Sequence, residues 1–341
     1  MNKKQVVTIK EVAALARVSQ MTVSRVLNDP PTVKKATRKR VEDAIRELNY
    51  RPNLMARNLA GRSGLFIGLI YRNPSYGYLS EFLLGALNTC RQLGHYLIVE
   101  EPFVDDNMVD LEHMEKRFRD TSIQALIVVP PLSEDPKLID TLERSGISFV
   151  CVSPKLDGYT GPSVKMDDKA AAIDMTRYLL DLGHQRIATI VGPEDHISSE
   201  LRLSGYLEAM PDIDESIIKR GDFTYLSGMQ RTIELLAQND PPTAIFASND
   251  DMAAGAIAAA YQKGLRVPED ISVVGFDDTP NASSIWPPLT TVRQPIREMA
   301  GEAIEILASG FTQNPGAKTS RELEHELVLR QSTAPPPKRS D

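Results

Sequence analysis

Along the first 50 residues apolar side chains return every three or four positions; beyond Gly64 they bunch into short runs separated by amphipathic stretches. Ile9, Val12, Ala13 and Ala16 form one stripe, which predicts a helix from Ile9 to Ala16 with Lys10, Glu11 and Arg17 outside. Thr8 can cap this helix, and Glu11 three residues on completes a capping box. Arg17 and Val18 fill a tight turn. Ser19 is a good N-cap for a second helix through Leu27, with Val23, Val26 and Leu27 facing inward. Asp29, Pro30 and Pro31 interrupt the chain before a third helix, Lys35 to Leu48, whose buried stripe is Val41, Ala44, Ile45 and Leu48.

From Leu65 the apolar runs LFIGLIY, HYLIVE, ALIVV, SFVCV, RIATIV, AIFAS and ISVVGF read as strands. Between them lie helical stretches such as Tyr78 to Leu93, Asp168 to Leu182, Ser227 to Gln238 and Asp250 to Lys263, the alternation expected of parallel βαβ units. Neither GxGxxG nor GxxxxGK[ST] follows the first run, so no dinucleotide or nucleoside triphosphate is advertised. Open α/β sheets bind ligands beyond the carboxyl ends of their strands. The segments there are 73–78, Glu101-Pro102, Pro130 to Leu132, Ser153, His196 to Arg202, Phe223, Asn249-Asp250 and Phe276 to Asp278. Polar groups with interspersed aromatics suit a polyhydroxylated ring, whose hydroxyls need partners and whose CH face can stack.

Charge divides the chain at the same place as the pattern. Up to Gly64 there are 14 Lys and Arg against 5 Asp and Glu, a balance of +9; since the whole chain carries −7, the remainder carries −16. A basic module on an acidic domain places a polyanionic partner at the N-terminal end. Two cysteines, Cys90 and Cys151, and no apolar N-terminal run argue against a disulfide framework, an export signal and a membrane span, so the cytoplasm is expected. HExxH, GxSxG and CxxC are missing, and the five histidines show no metal spacing. No enzyme, cofactor or metal site is therefore expected.

Two helices of about eight residues joined by a tight turn match a helix-turn-helix, whose second helix puts its N-terminal side chains at base edges in the major groove. Gln20, Met21 and Arg25 then hold reading positions, since Arg pairs with guanine, Gln with adenine, and an apolar side chain meets the thymine methyl. Thr8, Ser19, Thr22, Ser24 and Asn28 suit phosphate contacts. A half-site reader of this kind predicts a homodimer on a palindrome of double-stranded operator DNA.

The stretch TIKEVAALARVSQMTVSRVLND, followed by RVEDAIRELNYRPNLMARNLAGR, resembles the headpiece of the LacI/GalR family of bacterial transcription regulators. RLSGY, SNDDMAAGA, ISVVGFDD and PPLTTVRQP are similar to landmarks of that family's effector domain. The resemblance implies an all-α headpiece over 1–50 and a hinge helix and linker over 51–64. It implies a periplasmic-binding-protein-like α/β domain of two lobes with parallel sheets over 65–330. The tail, 331–341, ends in APPPKRSD without leucine heptads and is expected to be disordered. In the hinge the resemblance assigns Asn53, Arg57 and Leu59 to operator contact, with Leu59 as the minor-groove wedge. In the cleft it points to Ser75, Tyr76, Glu101, Pro130, Ser198, Arg202, Phe223, Asn249, Asp277, Trp286 and Gln294 as residues for a small, saccharide-like effector. Arg202 would hold a ligand oxygen, Asn249 and Asp277 would bond hydroxyls, and Phe223 would stack. The chain is expected to cross between the lobes near Ser153 to Gly161, Leu289 to Gln294 and Thr319 to Leu323. Release from DNA by the effector is favoured over corepression. A stand-alone sugar-binding protein is the alternative, but it would have no use for residues 1 to 64.

Overall fold

The computed structural model describes residues 8–28, 33–48, 50, 64–72, 75–102, 104–105, 108–110, 114, 116–117, 120–154, 159–210, 212–312 and 320–338. The hinge candidates Asn53, Arg57 and Leu59 lie outside them. The chain divides into two compact units, Met1–Gly64 and Leu65–Asp341.

In the first unit three helices, Ile9–Ala16 (α1), Gln20–Asn28 (α2) and Lys35–Glu47 (α3), bury Val12, Ala13, Ala16, Val23, Val26, Val41 and Ala44 against one another. Leu27, Ile45 and Leu48, expected inside, are partly buried at the edge of that small core. The turn between α1 and α2 closes because Arg17 takes the left-handed conformation, φ 53°, and its N–H meets the last carbonyls of α1.

The second unit holds two six-stranded sheets and a short antiparallel ribbon of Val104–Asp105 (β3) and Met108–Val109 (β4). The first has the order β13-β7-β6-β5-β1-β2, built from Ser320–Leu323, Ser163–Met166, Ser148–Val152, Ala125–Val128, Phe66–Ile70 and Tyr96–Glu100, all parallel. The second has the order β14-β12-β11-β10-β8-β9, built from Glu326–Val328, Thr290–Arg293, Ser272–Asp277, Ala244–Ala247, Ile187–Val191 and Ile218–Arg220. There only β14 runs antiparallel, on β12. The strands are near-continuous apolar runs because helices cover both faces. Beside Ile67, Leu69 and Val150, the first lobe buries Phe82 of helix Tyr76–Leu93 and Met299, Ala303 and Ile304 of helix Ile296–Thr312. In each sheet one strand, β1 or β8, lies between its two sequence successors, so the winding reverses there. The carboxyl ends beside β1 and β8 are thus where such a sheet opens a crevice.

Two expectations need correction. The first crossing lies after β7, not at Ser153 to Gly161, because Cys151 N–H bonds Pro162 O and Ser153 N–H bonds Val164 O, keeping that segment in the first sheet. The chain changes lobe around Asp167, entering helix Asp168–Asp181, whose Ala171, Ala172, Met175 and Leu179 join the second lobe's core. It returns after β12 at Gln294-Pro295 and crosses last at Glu324-His325. Residues 331–338, expected to be disordered, pack along the second lobe. Val273 N–H bonds Ser332 O, the Ser332 hydroxyl donates to Val273 O and accepts from Thr290 N–H, and Ala334 N–H bonds Ser272 Oγ. Buried His184 bonds Thr243 Oγ1 with one ring nitrogen, and Ser272 Oγ and Ala334 O with the other. Prolines at 335–337 suggested a loose end, but the exposed backbone groups of β11 and β12 need partners and this segment supplies them.

Ser332 is fully buried, so Ser332→Ala strands two backbone groups. The expected loss is about 1–3 kcal/mol in chemical denaturation of the full chain, with operator binding at low temperature unchanged.

Candidate functional site

The reading surface of the first unit begins with its caps. Thr8 N–H and hydroxyl both reach the Glu11 carboxylate, closing the capping box, and this contact holds the Glu11 carboxyl below its usual range. Ser19 Oγ accepts from Thr22 N–H at 3.1 Å, fixing the start of α2. Gln20, Met21 and Arg25 are exposed on α2; at 66% exposure Met21 is an apolar side chain that no core claims. Thr22 and Ser24 are half-buried beside them, and Asn28 is the last residue of the helix. Thr8 and Ser19 therefore serve first as caps. The face they frame carries the three side chains expected to meet base edges.

In the second unit a cleft is lined by Ser75, Tyr78, Pro130 and Ser153 from the first lobe and by Asp168, His196, Ser198, Arg202, Phe223, Asn249 and Asp277 from the second, with Gln294 on a crossing segment. Eight of the eleven sequence candidates are here: Ser75, Pro130, Ser198, Arg202, Phe223, Asn249, Asp277 and Gln294. Tyr76, Glu101 and Trp286 are not. Tyr76 opens a helix just past its Ser75 cap and is 83% exposed; Trp286 follows the short helix Pro280–Ser284 and is 74% exposed. Glu101 follows edge strand β2, one strand away from the point where the winding reverses, and is exposed. Tyr78, Ser153 and His196 fell within the strand-end segments but were not singled out, and Asp168 was read only as a helix start. Its signal was the doublet Asp167-Asp168, where one carboxylate suffices to cap.

Four helices begin at the rim, and in each a side-chain oxygen takes one amide of the first turn. Ser75 Oγ accepts from Tyr78 N–H, Asp167 from Ala170 N–H, Asn249 Oδ1 from Met252 N–H, and Glu134 Oε2 from Ile197 N–H at 2.6 Å. The Glu134 contact joins the two lobes, as does Ser75 Oγ donating to Asp251 Oδ2 at 3.1 Å. The cavity left between the lobes is about 40 Å³, far below the roughly 300–1,000 Å³ of sites that enclose drug-sized ligands. The lobes are drawn together.

At the floor of the cleft Arg202 is buried and held by three partners. Its Nε and Nη2 each lie 2.8 Å from Asp168 Oδ1, Nη1 donates to Ser248 O, and its plane lies 3.7 Å over the Phe276 ring. Asp277 Oδ1 accepts from Gln294 Nε2 at 2.6 Å and stands 3.9 Å from Arg202 Nη1. Burial raises the carboxyls of Asp168 and Asp277 above the usual range, against the opposing pull of Arg202, and Asp250 behind them is pushed up to about 7 by burial. Burial likewise lowers His196, which lies edge-on to Phe223 at 5.2 Å between centroids. Three lining residues hold positive φ without being glycine: Ser153 at 43°, Phe223 at 66° and Asp277 at 118°. Backbone held in such regions collects at ligand sites, where the surroundings enforce it.

Arg202→Ala leaves Asp168 and Asp277 buried without their counter-charge, and a loss of about 3–5 kcal/mol is expected. A carboxyl whose pKa is raised by folding stabilises the folded state below its unfolded pKa and loses that contribution as pH rises through the folded value. The deficit of the variant should therefore be smallest near pH 4 and grow toward pH 8. Melting temperatures of both proteins across that range check it; a deficit independent of pH contradicts the assignment.

The family of bacterial regulatory proteins, lacI family, matches residues 8–53, and the periplasmic binding protein-like domain matches residues 176–333. The HTH-type transcriptional repressor CytR of Escherichia coli (strain K12) is 34% identical, with 96% of both chains covered. The ribose operon repressor of the same organism is 35% identical over 90% of this chain and 93% of its own. Among solved structures, the Lac repressor dimer bound to operator and the anti-inducer ONPF superposes with a TM-score of 0.81 at 32% identity, over 97% of this chain and 100% of that one. A complex of the transcriptional regulator CelR with cellobiose superposes with a TM-score of 0.72 at 31% identity, over 96% and 99%. With a helix-turn-helix at one end and a ligand cleft at the other, this chain belongs to the lacI family of bacterial regulatory proteins, and it is a DNA-binding transcription regulator rather than an enzyme.

Proposed function

We propose that the protein is a repressor that binds a palindromic operator as a homodimer and is released when a small saccharide enters the cleft. The observation that carries the reading is the cleft itself: polar side chains and Phe223 from both lobes converge on one space, so a ligand there weighs on the relative position of the lobes. Coupling requires the ligand to prefer one lobe arrangement, and a difference of about 1–3 kcal/mol is the usual scale of such control. Gln20, Met21 and Arg25 read bases, and Ser19, Thr22, Ser24, Thr8 and Asn28 contact phosphates. Asn53, Arg57 and Leu59, outside the described residues, act at the hinge. Ser75, Pro130, Ser198, Arg202, Phe223, Asn249, Asp277 and Gln294 contact the effector. The complexes of relatives with cellobiose and with operator support this division of labour. No described helix is long and apolar enough to cross a membrane, and an operator-binding role is served in the cytoplasm.

Selection of binding sites from random DNA, with and without sugars, tests the whole reading: a palindrome is expected, with occupancy lost on adding the cognate sugar, whereas a non-palindromic or sugar-independent site contradicts it. Within that site Arg25→Ala should cost about 1–3 kcal/mol at one base pair of each half-site while leaving non-specific binding nearly unchanged. Competition gel shifts against single-base operator variants measure it.

A further inference from the structure

Helices Tyr76–Leu93 and Pro136–Ser145 each end on a glycine in the left-handed conformation, Gly94 at φ 76° and Gly146 at φ 71°. Glycine is the ordinary choice there, because a Cβ crowds the following carbonyl in that conformation. Helix α1 ends in the same way on Arg17, at φ 53°. Arg17 N–H bonds Ala14 O at 3.2 Å and Val18 N–H bonds Ala13 O at 3.0 Å, a closure made by backbone groups alone, so nothing in the turn asks for a side chain. Nor does packing, for Arg17 is exposed and no described residue bonds or pairs with its guanidinium. The acid of α1, Glu11, is engaged by Thr8. What the side chain adds is a positive charge, held at the surface of the turn.

We infer that Arg17 is a phosphate contact of the operator complex, placed at the turn so that its charge flanks the reading helix. The inference rests on the reading of α2 as the helix that enters the major groove. A helix-turn-helix brings the N-terminal end of its second helix to the bases, and here that end is Ser19, which caps it, followed by exposed Gln20 and Met21. Arg17 stands two residues before the cap, outside the helix and beside the end that goes into the groove. The lip of the groove is phosphate, with one charge about every 1.7 Å along the duplex axis. A long basic side chain beside the entering helix end meets that lip before it meets any base. Strained backbone gathers at functional points of this kind.

Arg17→Gln keeps the backbone strain and removes the charge, whereas Arg17→Gly removes both, and the full-length protein carries each in turn. The probe is the palindromic duplex recovered by operator selection, with a scrambled duplex beside it, titrated by fluorescence anisotropy across a range of salt. Loss of one phosphate contact from each subunit of a dimer should flatten the slope of log K against log salt by about 1.8, an affinity loss of about 30-fold near about 0.15 M salt that closes as salt approaches about 1 M. Both variants should show it, on the palindrome and on the scrambled duplex alike, because phosphates carry no sequence. Arg17→Lys should keep most of the wild-type slope. Hydrogen exchange over α1–α3 in the glycine variant should be no faster than in the wild type, which sets loss of binding apart from loss of fold; faster exchange there contradicts the strain argument and overturns the inference. A glutamine or glycine variant with the wild-type slope overturns it as well, and so does a loss confined to one base pair or equal at every salt concentration. A wild type that binds the palindrome no better than the scrambled duplex overturns the operator reading itself, and the inference with it.

Discussion

A buried guanidinium holds the effector end of this regulator together. Arg202 projects from the second turn of a helix that starts at the cleft, and it meets a carboxylate from the first turn of another helix, a backbone carbonyl at the end of β10 and an aromatic ring of β11. Four separate pieces of chain are referred to one planar group, whose fork geometry leaves little freedom in how they assemble. The positions of Asp277 and Asn249 follow from it, because one ends β11 beside Phe276 and the other follows Ser248; Asn249 Nδ2 in turn donates to Phe223 O. The same burial raises the carboxyls of Asp168 and Asp277 against the pull of Arg202.

Much of this was legible in the residues. The seven apolar runs are all strands, and the helical periodicities fall where predicted to within two residues, because burial on both faces leaves a plain mark on a sequence. Strand-end logic found most of the cleft for a physical reason: where winding reverses, loops diverge and side chains converge. Glu101 and Tyr76, which it named, and Trp286, which the resemblance named, lie outside the lining. A residue can follow a strand or open a helix and still point away, and neighbouring polarity does not report direction. Asp168 escaped notice because its partner lies 34 positions away, and pairing over that distance is settled by the fold rather than by spacing.

The crossing near Ser153 and the disordered tail failed for a different reason. The resemblance sets a crossing near Ser153 and the Pro-rich composition sets a loose tail, while the path of each segment is fixed by what neighbouring strands lack. Backbone groups of β6 in one case, and of β11 and β12 in the other, take their partners from the backbone that passes by. The reciprocal glycines show the same dependence at closer range: a Cβ on Gly228 would stand 2.2 Å from Met252 O and one on Gly255 would stand 2.1 Å from Tyr225 O. That contact seats the helix carrying Asn249 and Asp250.

The order in which the lobes are threaded also bears on synthesis. The first lobe closes with helix Ile296–Thr312 and β13, and the second with β14 and the segment through Ala334. Each lobe thus waits for residues beyond 295, whereas the α1–α3 core is complete by residue 50. On the ribosome, where N-terminal units fold first, the DNA-reading headpiece acquires its shape long before the domain that governs it. Control over the operator arrives only after residues 320–334 have been translated.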